Sequence, residues 1–373
     1  MLICNNLKKI GIYIVISFFI CGVLLWGGLS FTKLANYYIN DELSYTEWTA
    51  DLGSKLETEI ASTFLEKFEF VNINGAFRKL LHQHEMNGVI KLNNGYLTTV
   101  TEQYTDDYLS SSAEKVIELS EYIQKKGKKL VYAATPSTCS KYDPQLPIGV
   151  VDYYNNNTDR FLEILQDGNV DTIDFRKEMY DDGIDQYEMM YKTDHHWTTE
   201  SGFWAYKKFE QYIIDSTGCS VDPRISDMDY YNVVKYKHWH LGSRGQRTGI
   251  YYAGVDDFDL IIPIFETSLT SESGEVGEFQ DLVINKAALD NKDYRSRYTY
   301  DFVLDPSFGH FINNKCDNNI KVLVVSDSFS KAVAPYLEIG FKEVQIVNGE
   351  QGYDKSFVDN YDPDVVIVMF YYF

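Results

Sequence analysis

Residues Ile320–Ser330 read IKVLVVSDSFS. The run Ile320–Val325 is too continuously apolar for a strand with one face in water. It predicts a strand buried on both faces, as in a parallel sheet flanked by helices. Its ending is equally informative: Ser326-Asp327-Ser328 is a turn, and a helix is expected from there through Leu337. In open α/β sheets, sites form at the carboxyl ends of strands, and a sharp strand-to-helix turn presents a serine hydroxyl. Amides opening the helix face any negative charge that develops there. Ser328 is therefore the candidate nucleophile, and its own amide a candidate oxyanion donor.

The same alternation extends outward from this stretch. Lys129–Thr135, KLVYAAT, reads as a buried strand ended by Pro136, and Asn169–Phe175 as a second. Glu343–Val347 and Asp364–Phe370 complete the set, with a short helix near Lys355–Tyr361 between them. Ser111–Lys126 is a helix carrying Val116, Leu119, Tyr122 and Ile123 on one face, and Thr198–Ile214 is another, capped by Thr198 or Thr199. Asn87–Leu97, NGVIKLNNGYL, predicts two short strands around Asn93-Asn94-Gly95. Strands joined by helices mean an α/β domain with a parallel sheet sandwiched by helices, spanning residues 87–373. An aromatic, acidic segment, 222–311, interrupts it as inserted antiparallel structure or long loops, and residues 32–86 form a polar, helical stalk.

A serine nucleophile needs a base, and an imidazole held by a carboxylate is the usual one. Tyr191–Gly202, YKTDHHWTTESG, places Asp194, His195, His196 and Trp197 between the second strand and a helix. In a tight turn Asp194 reaches His196, two residues on, orients it and stabilises its imidazolium. His195 is expected to point away and be satisfied by backbone. Adjacent residues rarely ligate one ion and no third ligand is evident, so no metal is expected. Trp197 is expected as a core plug. Asp327 is expected to brace its turn through backbone amides, and Ser330 is the competing hydroxyl. Thr135-Pro136-Ser137 ends another parallel strand, so Ser137 is expected to line the same crevice. Gly242–Arg247, GSRGQR, is either a solvated turn or, through Ser243, Arg244 and Arg247, a grip on a substrate carboxylate or phosphate. Lys141 and Tyr142 share that minority reading.

Composition bounds the partners. The 373 residues carry 55 acidic and 34 basic side chains, a formal net charge of −21, so a basic nucleic-acid footprint is absent. The excess acid suits solubility outside a cell and repels polyanions. Ile10–Phe31 is an uncharged apolar run, long enough at about 1.5 Å per residue to cross a hydrocarbon core of roughly 30 Å. Lys8 and Lys9 precede it, which puts residues 1–9 in the cytoplasm and everything after Thr32 outside. The run is longer than the apolar part of a cleaved signal peptide, so residues 10–31 are read as a retained single-pass anchor. Of the five cysteines, Cys139, Cys219 and Cys316 then lie outside, allowing at most one bridge.

DHHW before a helix, with a later strand ending in DSFS, resembles the DHHW protein family, itself similar to the circularly permuted SGNH-hydrolase-like domain of alginate O-acetyltransferases. Other pieces fall in order from Asn87 to the end: NGVIKLNNGYL, VYAATPSTCSKYDPQLP, VDTIDFRKEM, YKTDHHWTTESG, VLVVSDSFS and YDPDVVIVMF. The resemblance implies an SGNH-like, flavodoxin-like sandwich. It implies an Asp194, His196, Ser328 triad in which the serine follows the Asp/His pair, the reverse of ordinary SGNH order. It also implies O-acetyl transfer to, or removal from, a cell-envelope or secreted polysaccharide, with no cofactor. A transferase outside the membrane has no acetyl-coenzyme A, so a multi-pass membrane acyltransferase is the implied acyl donor. Where the SGNH block has Gly-Asp-Ser, this chain has Ser326 in place of the glycine.

Two readings therefore face each other. One is a membrane-anchored extracytoplasmic serine acyl-ester enzyme. The other is a non-catalytic glycan-binding or assembly protein of an envelope polysaccharide system. One distance separates them, that from His196 Nε2 to Ser328 Oγ.

Overall fold

A computed structural model describes residues 67–291 and 309–370, together with Ser17, Ile20, Cys21, Asp293, Tyr294 and Leu304. The chain divides into two compact units, residues 1–71 and 72–373. In the first, Ser17, Ile20 and Cys21 are helical; the rest of the expected anchor at 10–31, the cytoplasmic residues 1–9 and most of the stalk lie outside the described residues. Among the described residues no helix is long and apolar enough to cross a membrane.

Along the chain come α1 (Lys67–Leu80), β1 (Glu85–Met86), β2 (Val89–Lys91), β3 (Leu97–Thr98), α2 (Asp106–Lys125), β4 (Lys129–Ala134) and α3 (Tyr154–Asp167). Next are β5 (Asp171–Asp174), α4 (Phe175–Asp181), α5 (Thr199–Thr217), β6 (Tyr231–His240), α6 (Ser243–Thr248), β7 (Asp256–Pro263), β8 (Leu269–Ser271) and β9 (Val276–Gly277). The chain closes with β10 (His310–Asn313), β11 (Lys321–Ser326), α7 (Ala334–Gly340), β12 (Glu343–Asn348), α8 (Lys355–Tyr361) and β13 (Val365–Met369).

The central sheet runs β5-β4-β13-β11-β12-β10-β8-β9. Its first five strands are parallel, with β11 between β13 and β12. Alternation along each strand feeds two cores. Val322 and Val324 of β11, with Val365 and Ile367 of β13, face Phe203, Tyr206, Phe209 and Ile213 of α5. Leu323, Val325, Val366 and Val368 face Leu109, Val116 and Leu119 of α2 and Phe161 of α3. Each fully buried aliphatic or aromatic side chain contributes roughly 1.5–3 kcal/mol, and the two-sided burial explains why these strands read as unbroken apolar runs.

Four local expectations are adjusted by capping and pairing. The strand read at 169–175 stops at Asp174, whose carboxylate accepts the Arg176 N–H and starts α4. The helix read from Ser111 begins five residues earlier, because Thr105 caps it. The helix expected from Ser328 through Leu337 is two pieces, a 3-10 turn over Ser328–Ala332 and then α7, with Pro335 in the first turn of the second. The sheet is also not wholly parallel: β8 and β9, from the inserted segment, and β10, which straddles its end, extend it antiparallel beyond β12. Earlier in that segment β6 and β7 form an antiparallel ribbon with a bulge between Tyr236 and His240. Cys21, Cys139, Cys219 and Cys316 are free thiols.

Candidate active site

The turn after β11 is built around Asp327. Its carboxylate accepts the Phe329 N–H at 2.9 Å, and its carbonyl accepts the Ser330 hydroxyl at 3.0 Å. That leaves Ser328 at the first position of the 3-10 turn, where a backbone N–H has no intrahelical acceptor. Asp327 braces as expected. Ser330 is buried and committed, receiving the Ser326 hydroxyl at 2.7 Å. Ser326, the departure from Gly-Asp-Ser, thus has a partner inside the turn.

The histidine loop is closed by its own backbone. Met190 and Trp197 form an antiparallel bridge, Tyr191 N–H donates to the His196 carbonyl, and Thr198 N–H to that of Met189. At the far end Asp256 of β7 accepts the amides of Lys192 and Thr193 and the Thr193 hydroxyl. Trp197 is wholly buried, as expected of a core plug, and its indole N–H donates to the Phe329 carbonyl at 3.0 Å. This bond ties the histidine loop to the serine turn. The helix that follows approaches just as closely: a Cβ on Gly202 would lie 2.1 Å from the Ala332 carbonyl oxygen.

The structure brings Asp194, His196 and Ser328 together. His196 Nε2 lies 2.7 Å from Ser328 Oγ, and His196 Nδ1 lies 2.8 Å from Asp194 Oδ2. With Nδ1 protonated and donating to the carboxylate, Nε2 is free to accept the serine proton. Asp194 is 0% exposed and His196 3%, whereas Ser328 is half-buried at the edge of solvent. Burial alone would raise the Asp194 carboxyl; the His196 ring, hydrogen bonds from His195 and His196 and the His240 contact outweigh it and hold the group well below the usual carboxylate range.

Other expected residues fall differently. His195 does not point away: its ring lies 3.8 Å from that of His196, and Nδ1 is 3.1 Å from both Asp194 Oδ1 and Ser243 Oγ. Burial lowers its pKa against the pull of Asp194. Ser243 does not reach outward to substrate; its amide and hydroxyl both donate to Asp194 Oδ1, at 3.1 and 2.8 Å. Arg244 is a correction too. It is buried, and its guanidinium donates to the carbonyls of Leu97 and Asp194 and the hydroxyls of Thr138 and Thr99. It braces the loop from beneath, because a cation in that interior is retained only where carbonyls and hydroxyls satisfy it. Arg247 is turned to the Asn87 carbonyl at 2.6 Å. Ser137 is buried in a local turn, accepting the Cys139 N–H and donating to the Cys139 carbonyl. Lys141 pairs with Asp159 at 2.8 Å and Tyr142 stacks on Tyr180.

Asp194, His195 and His196 offer ligand atoms within 4.8 Å of one another. Those atoms already bond each other, and His196 Nε2 faces Ser328, so the donor set fits proton transfer better than a cation. Sequence reading missed His240 and took Gly242 only as the start of a polar turn; both lie against Asp194. The signal was the short run His240-Leu241-Gly242-Ser243 beside a bulge, which no local rule links to a loop so far upstream.

Residues 95–216 match the profile of a family described as the SGNH hydrolase-like domain of the acetyltransferase AlgX. No curated protein matches the chain. Among solved structures, Bacillus cereus PatB1 is 20% identical, covers 76% of this chain and 95% of its own, and superposes with a TM-score of 0.62. PatB1 with a sulfonyl adduct gives 18% identity over 77% and 95%, with a TM-score of 0.59. A DHHW family protein from Eubacterium siraeum DSM 15702 gives 13% identity over 77% and 91%, with a TM-score of 0.56. The likeness read from YKTDHHWTTESG is found again in the SGNH hydrolase-like profile over residues 95–216, and the folds of PatB1 and of the DHHW family protein follow about three quarters of the chain.

Proposed function

We propose that this chain is a serine acyl-ester enzyme that moves an acetyl group to, or from, a hydroxyl of a cell-envelope or secreted polysaccharide through an acyl-Ser328 intermediate. The observation that carries the reading is the unbroken line of contacts Asp194 Oδ2, His196 Nδ1, His196 Nε2, Ser328 Oγ, at 2.8 and 2.7 Å. Such a line is the arrangement that lets an imidazole take a hydroxyl proton while a buried carboxylate stabilises the imidazolium. The match to an acetyltransferase's SGNH-like domain supports acyl transfer as the class of reaction.

His196 Nε2 accepts the Ser328 proton as Oγ attacks the acyl carbonyl of the donor. The tetrahedral oxyanion meets the Ser328 N–H at the opening of the 3-10 turn. His196 returns the proton to the leaving oxygen, and the acyl-serine remains. A sugar hydroxyl, or water, gives its proton to His196 and attacks the ester, freeing Ser328. Transfer and hydrolysis differ only in the acceptor that reaches the acyl-enzyme.

The apolar run 10–31 anchors the chain, with the catalytic unit outside the membrane. There the acyl group comes from a multi-pass membrane acyltransferase. The test is Ser328→Ala against wild type, read as the ester content of envelope polysaccharide and as labelling by a sulfonyl fluoride, the probe suggested by the sulfonyl adduct of PatB1. Loss of both label and ester change supports the reading; an Ala variant that still alters ester content ends it.

A further inference from the structure

Asp194 has a neighbour that the serine chemistry above leaves unused. His240 closes β6, is wholly buried, and places Nε2 3.3 Å from Asp194 Oδ2, the oxygen that also receives His196 Nδ1. This is the longer of the two imidazole contacts to that oxygen.

How it gets there is a matter of backbone. The register of β6 against β7 shifts between Tyr236 and His240, and His238 within the bulge takes a left-handed φ of 50°. A bulge re-aims the side chains that follow it, and the residues that follow, Trp239 and His240, are buried. Past the bulge His240 pairs with Asp256, the carboxylate that holds the start of the histidine loop. The Tyr191 ring lies 4.5 Å from the imidazole on another side. The titratable groups facing His240 are therefore Asp194, Asp256 and the Tyr191 phenol, with Glu200 near that phenol. An imidazole enclosed by a buried carboxylate, a half-buried one and an aromatic ring is costly to bury unless those charges use it.

We infer that His240 is a positioning residue for the catalytic dyad: its Nε2–H shares Asp194 Oδ2 with His196, fixing the carboxylate's orientation and limiting how strongly it raises His196 basicity. This rests on the acyl-serine reading. The inserted segment is then part of the catalytic apparatus through one strand end, beyond any role in shape. With His240 gone, Oδ2 offers its whole negative potential to His196, which holds its proton to higher pH. The acid limb of kcat/KM must move upward, since His196 has to be neutral to act as base.

The experiment uses the full chain, 4-nitrophenyl acetate as probe, and the burst of nitrophenolate between pH 5 and 8. Two variants of similar polarity are compared. His240→Gln places an amide N–H near the Nε2 position, and His240→Asn stops short of it. Expected is a Gln variant within roughly threefold of wild type and an Asn variant slowed roughly tenfold, its acid limb raised by about half a pH unit. An acid limb unmoved in both variants, whatever their thermal stability, overturns the inference and reduces His240 to packing. Ser328→Ala is run alongside. If it keeps the burst, the acyl-serine reading fails and takes this inference with it; if it loses the burst while both His240 variants behave like wild type, only the inference fails.

Discussion

A Cβ added to Gly242 would stand 2.2 Å from the Cβ of Asp194 and 2.5 Å from its Cγ. Its φ of −66° is one any residue adopts, so the glycine is needed for space alone. The Gly242 N–H also donates to the Thr193 hydroxyl, one residue before Asp194. The 242–243 turn and the carboxylate are in this sense one object, and any side chain at 242 must push them apart. Gly242→Ala is expected to cost about 1–3 kcal/mol of stability through overpacking. A shift of the carboxylate on the order of 1 Å carries roughly a hundredfold loss in kcat/KM. Urea unfolding and ester turnover of the folded variant check both. An Ala variant of wild-type turnover would mean that Asp194 tolerates displacement and does not orient His196.

Asp194→Asn separates geometry from charge. The amide is nearly isosteric, yet its Nδ2–H₂ facing His196 forces the imidazole to accept at Nδ1 and protonate at Nε2, so it can no longer take the Ser328 proton. A fall in kcat of about 10⁴-fold is expected, with the protein still folded. Single-turnover acylation by 4-nitrophenyl acetate measures it directly. A loss under tenfold would show that His196 acts without its carboxylate.

The legible part of this site was what the chain writes locally. Ser328 ends a strand whose apolar continuity marks double burial, and Asp194 and His196 are two residues apart in a loop short enough to close on itself. The partners of Asp194 were illegible because they depend on register. His240 reaches it only because a bulge alters which β6 residues face inward. Ser243 and Arg244 are polar residues in a Gly-rich turn, and such a turn reads as solvated. Both are drawn inward by carbonyls and a carboxylate that belong to residues 97–194, which no nearest-neighbour pattern displays. Inserted antiparallel structure was one of the two readings of 222–311, but that β8–β10 join the central sheet was hidden in the same way, because their pairing to β12 is long-range.

Arg244 provides a direct test of that correction. Its guanidinium holds the Leu97 and Asp194 carbonyls at 2.9 and 3.0 Å and the Thr138 hydroxyl at 2.5 Å. All three meet one nitrogen, Nη1, while Nη2 donates to the Thr99 hydroxyl at 3.3 Å, and a lysine ammonium, a single point of charge, cannot serve both positions. Arg244→Lys is expected to lose roughly 2–3 kcal/mol, because buried acceptors are left unmet, while KM for a small ester stays at the wild-type value. Were Arg244 a substrate contact, KM would rise and stability would hold. Thermal unfolding paired with Michaelis kinetics distinguishes the two.

A last consequence concerns pH and lies one turn from the histidine loop. Glu200, in the first turn of α5, has its pKa raised from 4.5 to about 7 by burial and by the neighbouring Asp259 carboxylate. Below pH 4.5 the carboxyl is protonated in folded and unfolded chains alike, so it adds no pH-dependent term. Between 4.5 and 7 the unfolded chain releases the proton and the folded chain keeps it, so stability falls as pH rises, and above 7 the full penalty is present. Discounted for partial exposure, that penalty is about 2 kcal/mol. Glu200→Gln removes the titration, so its stability relative to wild type should climb by about that amount between pH 4.5 and 8 and then level off. Urea denaturation of both proteins across this range gives the difference curve, from which titrating groups that do not interact with Glu200 cancel. A flat curve would mean that Glu200 ionises freely in the folded chain and that Asp259 does not press on it.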